Sequence, residues 1–383
     1  MWAAAVLLSA PLLVCYFLTH PSVFAVLTGG LLCRDGALLP RRLSEAAPPP
    51  SPHSSGAHLP HLRDLIFGVV AFHRSTRSRA PYHEGVRRWV LSVRQHTPAA
   101  SSELVLFTGR GEDSLAADRR MARWLAAAHA TLVEEDYDDD ASTVAHGNPK
   151  RFVWCVMRNR WFAIARYLTP RAALYRYVLM SDTRDALLQA PPFAWRLDGA
   201  VAFSGEGSGK VRTLRQSKKG LPRTLMCARG ASKAERRALL DTEPLNAGVT
   251  IGDATAFLNF SLAMTRVIRR VTTEECVQVK DCTDQGLYNL LVYVYWRDEL
   301  PYTRKLVLPM EKAFSYTLGH KQPCCTVDAA GRVLNDAGHA PPVVHQYAKG
   351  IAGRVLPRTR FWEKITANTW RSSERLLLGQ LST

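Results

Sequence analysis

Apolar positions along this chain fall into two patterns. The first is continuous. Residues 2–18 are almost all apolar, and a second apolar run covers 21–33. Spanning a bilayer as a helix takes about 20 apolar residues. The first run is near that limit and the two together exceed it, with Pro21 able to kink but not forbid a membrane helix. Residues 1–33 therefore predict a membrane anchor. No basic residue precedes the run, while Arg34, Arg41 and Arg42 follow it. This departs from the usual charge bias of such anchors. A cleaved signal peptide also starts basic, so an uncleaved anchor is the expectation. Residues 46–61 read AAPPPSPHSSGAHLPH and carry no apolar period. They predict an extended stem over 34–62.

The second pattern is a series of short apolar runs bounded by turn residues. Residues 65–72 (LIFGVVAF), 103–108 (ELVLFT), 131–133 and 175–180 (YRYVLM) predict strands buried on both faces. Helical spacing separates them, over 82–96, 114–130 with Ser114 as a cap, and 151–168, closed by Pro170. Strands alternating with helices predict an α/β domain with an open, mixed, mainly parallel sheet. After Ala200 the pattern loosens. Residues 205–220 predict a loop, 247–251 and 343–347 strands, and 254–270 and 284–295 helices. No internal repeat is visible. The folded domain is expected over 63–370, followed by a tail over 371–383.

Charge and cysteine usage narrow the class. The formal net charge is +17. The basic residues are scattered, apart from pairs such as Arg236-Arg237 and Arg269-Arg270. No nucleic-acid motif accompanies them, so nucleic acid is not the expected partner. An Arg-rich, Ala-rich composition accounts for the charge, with a surface that attracts anionic ligands as the other reading. There are eight Cys. Cys276 and Cys282 are too far apart for a zinc knuckle, and Cys324 and Cys325 are adjacent. Disulfides in an oxidising lumen fit better, with buried thiols as the alternative. Asn259-Phe260-Ser261 is a glycosylation acceptor triplet inside an expected helix. Anchor, stem and cysteines together point to the Golgi or endoplasmic reticulum membrane, with the domain in the lumen.

The candidate chemistry sits at Ser181-Asp182-Thr183-Arg184-Asp185, directly after the fourth strand. In open α/β sheets ligands bind beyond the carboxyl ends of strands. Two carboxylates on one tight turn suit Mg²⁺ or Mn²⁺, which favour oxygen ligands shared with phosphate and water. Arg184 between them is placed to pair with a carboxylate or reach a phosphate. The crowded run Glu134–Asp140 also offers acidic spacings, but like charges at that density normally stay solvated.

The stretch from Tyr177 to Phe193, YVLMSDTRDALLQAPPF, resembles the "SDxRDxxFQxxPF" segment of GT-A-type glycosyltransferases. Three later segments resemble the same family in order. They are Asn246-Ala247-Gly248 within PLNAGVTIG, Asp284-Gln285 within DQGLYN, and His345-Gln346-Tyr347. The resemblance covers roughly 65–347. It implies a GT-A-like fold, a nucleotide-sugar donor, a glycan or glycoprotein acceptor and a divalent cation. The spacing here is D-x-x-D rather than D-x-D, which leaves open which carboxylate is the direct ligand. Asp185 is the expected ligand, with Asp182 sharing the metal or contacting the ribose and His345 completing the shell. The resemblance implies a catalytic role for Asn246 near the donor sugar and a donor-binding role for Gly248 beside it. Arg158 and Arg160 resemble the family's Arg-bearing helix and would approach the diphosphate. Asp284 would face the reacting sugar or acceptor, as a base in an inverting enzyme or beside the sugar in a retaining one. A non-catalytic carbohydrate-binding protein on the same fold is the alternative, but it would have no need of all three carboxylates.

Overall fold

Four parallel strands form one half of the central sheet: β1 (Arg63–Val69), β2 (Ser102–Thr108), β3 (Ala130–Glu134) and β4 (Tyr175–Asp182). The other half is β6 (Ala200–Gly205), β7 (Leu245–Asp253) and β8 (Arg304–Leu308). The order is β3-β2-β1-β4-β7-β6-β8. Only β7 runs against its neighbours, antiparallel to both β4 and β6. The computed structural model describes residues 62–70, 79–111, 114–135, 149–206, 213–216, 231–271, 284–318 and 326–346, with backbone alone for 79–82, 149–155 and 271. All of these lie in one compact unit, Leu59–Thr383. The expected anchor over 1–33, nearly all of the stem, the tail, the cysteine pairings, Asp136–Asp140 and Tyr347 lie outside the described residues. Among the described residues no helix is long and apolar enough to cross a membrane.

The continuous apolar runs have a simple cause: both sheet faces are covered. Successive strand side chains point to opposite faces. Leu65, Phe67 and Val69 of β1 therefore enter one core cluster, and Ile66 enters the other. The first core is closed by α3 (Pro149–Leu168) and α5 (Ala254–Val271), which bring Val156, Trp161, Ile164, Phe257, Phe260 and Met264. The second is closed by α1 (Arg79–His96) and α2 (Arg119–Ala127) through Val86, Trp89, Val90, Met121 and Leu125. A short helix α4 (Lys233–Leu239) carries a capping box between Ser232 and Glu235.

Two expected helices differ in the structure. The stretch 114–130 is interrupted, because Asp118 accepts from the backbone N–H of Arg120 and Met121 and starts α2 afresh. Ser114 caps only the short turn Leu115–Ala117. His129, at φ 53°, then ends the helix, and Ala130 already belongs to β3. The stretch 284–295 is α6 (Asp284–Leu290), which passes through a π turn at Leu291–Tyr295 into α7 (Trp296–Glu299). On α5, Asn259 is exposed, while the Ser261 hydroxyl is buried and donates to Phe257 O at 2.8 Å.

A second, three-stranded sheet lies in the order β5-β12-β9: β5 (Ala186–Leu188), β12 (Val343–His345) and β9 (Ser315–Thr317). β12 pairs antiparallel with β5, setting His345 opposite Ala186. It pairs parallel with β9, setting His345 opposite Thr317. A hairpin of β10 (Thr326–Val327) and β11 (Val333–Leu334) precedes β12. Gln189 ties these pieces together. Its amide donates to Val333 O (2.8 Å) and Pro341 O (2.7 Å) and accepts from Val333 N–H (2.9 Å).

Candidate active site

Strand order reverses between β1 and β4, since β2 and β3 lie to one side and β7 and β6 to the other. Such a reversal opens a crevice beyond the carboxyl ends of the strands. The acidic turn leaves β4 there and is pinned on three sides. Ser181 is wholly buried; its Oγ accepts from Trp89 Nε1 (3.3 Å) and donates to Asp182 O (2.9 Å). Thr183 donates to Val69 O (2.9 Å), and its methyl fills the space that Gly68 leaves open. Gly85 lets α1 lie against the backbone of Arg184, where a Cβ would stand 2.7 Å from the carbonyl oxygen. Arg184 itself is exposed.

Asp182, Asp185 and His345 converge here, each offering one ligand atom within 4.8 Å of the other two. His345 Nε2 lies 3.2 Å from Asp182 Oδ2 and 3.8 Å from Asp185 Oδ1. The β5–β12 pairing makes the meeting possible, because Ala186 opposite His345 is the residue after Asp185. Gly248 leaves room for it. A Cβ there would stand 2.6 Å from His345 Cε1 and 2.8 Å from Asp182 Oδ2. Two carboxylates and one imidazole, held around a position cleared by a glycine, fit Mn²⁺ or Mg²⁺. The His345 Nδ1 is buried and has no hydrogen-bond partner among the described residues, so Nε2 carries the ring's polar contact.

Behind the cluster lies Arg160 of α3, 1 % exposed. It donates to Asp182 Oδ1 (2.7 Å), Ala247 O (2.6 Å) and twice to Asp284 Oδ2 (3.0 and 2.6 Å). Trp161 Nε1 adds a third donor to the same Asp284 oxygen at 3.1 Å. The two carboxylates respond in opposite directions. For Asp182, burial works to raise the pKa, but the Arg160 charge and the His345 contact outweigh it and hold the carboxyl well below the usual range. For Asp284, burial pushes the pKa up, and Arg160 does not fully offset it because the Asp182 charge adds to the rise. The His345 imidazole is held above its ordinary value. Its burial works the other way and is outweighed by the hydrogen bond to Asp182 and the charges of Asp185, Asp182 and Glu206.

The expected site residues separate into two groups. Asp182, Asp185, Gly248 and His345 meet at the cluster, while Arg184 is exposed on the same turn with its backbone against Gly85 of α1. Asn246 and Asp284 are shut into the fold. Asn246 is 0 % exposed; its amide oxygen accepts from Gly248 N–H (2.8 Å), and its nitrogen donates to Ser315 Oγ (3.3 Å) and Thr317 Oγ1 (3.0 Å). It couples β7 to β9 and shapes the Gly248 backbone. Asp284, 4 % exposed, orients Arg160. Arg158 is buried and donates to Asn159 Oδ1 at 3.2 Å. It stands roughly 200° round the helix from Arg160, and Arg160 is the arginine that α3 sends to Asp182. Asn289, from the same DQGLYN segment, accepts from Leu245 N–H (3.0 Å) at the start of β7. Glu206 and Thr317 border the cluster without a sequence signal, one in an expected loop and the other in an unremarked segment.

No family model matches the chain, and no curated protein does. Among solved structures it is similar to the apo form of mouse xyloside xylosyltransferase 1, at 14 % identity and TM-score 0.40 over 74 % of this chain and 96 % of that one. It is similar to the glycosyltransferase GlyE of Streptococcus pneumoniae TIGR4, at 14 % identity and TM-score 0.37 over 74 % of this chain and 55 % of that one. It is also similar to core-mannan synthase A of Aspergillus fumigatus in its Mn/GDP form, at 9 % identity and TM-score 0.35 over 62 % and 72 %.

Proposed function

We propose that this chain is a metal-dependent glycosyltransferase with a GT-A-like fold. It moves a sugar from a nucleotide-sugar donor to a glycan or protein acceptor, in the lumen of the Golgi or endoplasmic reticulum, anchored through residues 1–33. The observation that carries the reading is the meeting of Asp182, Asp185 and His345 at the carboxyl end of β4.

These three side chains would hold Mn²⁺ or Mg²⁺. When bound, the cation neutralises the charge that grows on the departing diphosphate. The chain's own residues prepare the place. Arg160 fixes Asp182 through Oδ1 and leaves Oδ2 facing His345. Asp284, itself braced by Trp161 Nε1, locks the guanidinium, so the partly exposed Asp182 is held ionised and oriented. Asn246 sets the backbone at Gly248, where a side chain would collide with both His345 and Asp182. Arg184, exposed on the turn, offers a guanidinium to phosphate. In this reading Asp284 is a positioning residue, because its Oδ2 already accepts three hydrogen bonds.

The test is to incubate the purified protein with a panel of nucleotide sugars and Mn²⁺, following hydrolysis or transfer. Turnover of at least one donor is expected. Nucleotide binding with no turnover would favour the non-catalytic alternative, and neither binding nor turnover would sink both. Asp185→Ala is expected to abolish metal-dependent nucleotide binding with little change in the unfolding midpoint. Unchanged affinity in that variant would move the metal site elsewhere.

A further inference from the structure

One carboxylate borders the cluster without belonging to it. Glu206 follows β6, where the β6–β7 register shifts: Phe203 faces Thr250, and Gly205 faces Leu245. Irregularities of this kind re-aim side chains and recur next to active sites. After the shift the Glu206 N–H donates to Pro244 O at 2.7 Å, which fixes the backbone as it leaves the strand. The half-buried side chain is then held from two elements. Its Oε2 accepts from Gln285 Nε2 at 2.5 Å, and its Oε1 from Thr317 Oγ1 at 3.5 Å.

Those two partners locate Glu206 relative to the cluster. Thr317 is the parallel neighbour of His345. Gln285 follows Asp284 at the start of α6, and its Nε2 also donates to Leu245 O at 3.0 Å. With both amide hydrogens engaged, the Gln285 side chain is fixed in one orientation. A carboxylate, an amide and a hydroxyl thus lie side by side at the edge of the cluster. Glu206 and Gln285 are only partly buried, whereas Asp284 and Asn246 are closed off. Convergent neutral and charged acceptors of this kind suit a polyhydroxylated ligand, whose hydroxyl groups donate to the carboxylate.

We propose that Glu206, supported by Gln285 and Thr317, reads hydroxyl groups of the transferred sugar beside the metal cluster and so sets donor preference. The proposal rests on the glycosyltransferase reading above. Its test uses the full chain, Mn²⁺ and donors that share one nucleotide but differ in the configuration of single sugar hydroxyls. Glu206→Gln and Glu206→Ala are compared with the unaltered protein. Affinity for the free nucleoside diphosphate with Mn²⁺ is expected to stay within about twofold, while kcat/KM for the preferred donor falls about tenfold or more and the preference among epimers collapses. Both variants keeping kcat/KM and the preference would overturn the proposal. An equal loss of nucleoside diphosphate affinity in Glu206→Gln would also overturn it, by placing Glu206 in service of the metal. Failure of the unaltered protein to bind any nucleotide with Mn²⁺ would overturn the glycosyltransferase reading, and the proposal with it.

Discussion

Asp182 and Asp284 share one guanidinium, yet one carboxyl is held below its usual range and the other above it. The difference comes from the third partner: Asp182 also meets His345, while Asp284 is buried and feels Asp182 as a like charge. This gives a pH prediction. The folded-state pKa of His345 is raised, so protonation of its ring stabilises the metal-free protein below the unfolded value, about pH 6.5. That stabilisation is lost as pH rises through the folded value. A metal takes only the neutral ring. Mn²⁺ affinity should therefore rise with pH through about 6.5 and level off above the folded value, with proton release on binding while the ring is protonated. Asp182, ionised throughout that window, adds no slope. Calorimetry in buffers of different ionisation enthalpy measures both quantities, and a flat profile without proton release would remove His345 from the ligand set. At this scale Asp182 and Asp185 were legible, because two carboxylates follow directly on a buried run. Arg160 was not distinguished from Arg158, since a helix only 20 residues long with arginines two apart does not show which one faces a partner 124 positions away.

The three-stranded sheet β5-β12-β9 decides where His345 stands. Its strands are three residues each and come from segments far apart in the chain. Too short to show a period, they were invisible as a sheet, although β12 was foreseen as a strand. Gln189, read at first only as part of a resemblance, is a structural tie between β5 and β11. Replacing it with Leu would leave Val333 N–H and the carbonyls of Val333 and Pro341 without their partner in a buried place. A buried group left unsatisfied costs about 1–3 kcal/mol. Gln189→Leu should thus lose roughly 3 kcal/mol in urea unfolding, and Mn²⁺ affinity should fall with it as β12 loosens. Stability lost with metal affinity intact would separate the tie from the site. The interruption at Asp118 was missed for a different reason. The stretch 114–130 keeps helical apolar spacing across the break, and only the side-chain cap shows that the helix restarts.

Across the whole molecule, the cluster joins β4, β5 and β12 from two sheets, with α3 and α6 behind it. A ligand bound there by the folded state alone must stabilise the entire unit. Mn²⁺ with a nucleoside diphosphate at 100 times its dissociation constant should add roughly 2.7 kcal/mol to the unfolding free energy. Thermal unfolding should shift up by several degrees, and a chelator should reverse the shift. No shift with any nucleotide would count against the site. The sequence by itself determined the alternation of strands and helices, the sheet's mainly parallel character and the acidic turn at a strand end. Those features follow from local apolar runs and from charges a few residues apart. Tertiary structure alone decided that β7 runs antiparallel, that Asn246 and Asp284 are enclosed supports, and that Glu206 stands at the rim. Each of these depends on which faces meet across long separations, as when Arg160 spans from Asp182 to Asp284, and burial of that kind leaves no periodic mark in the chain.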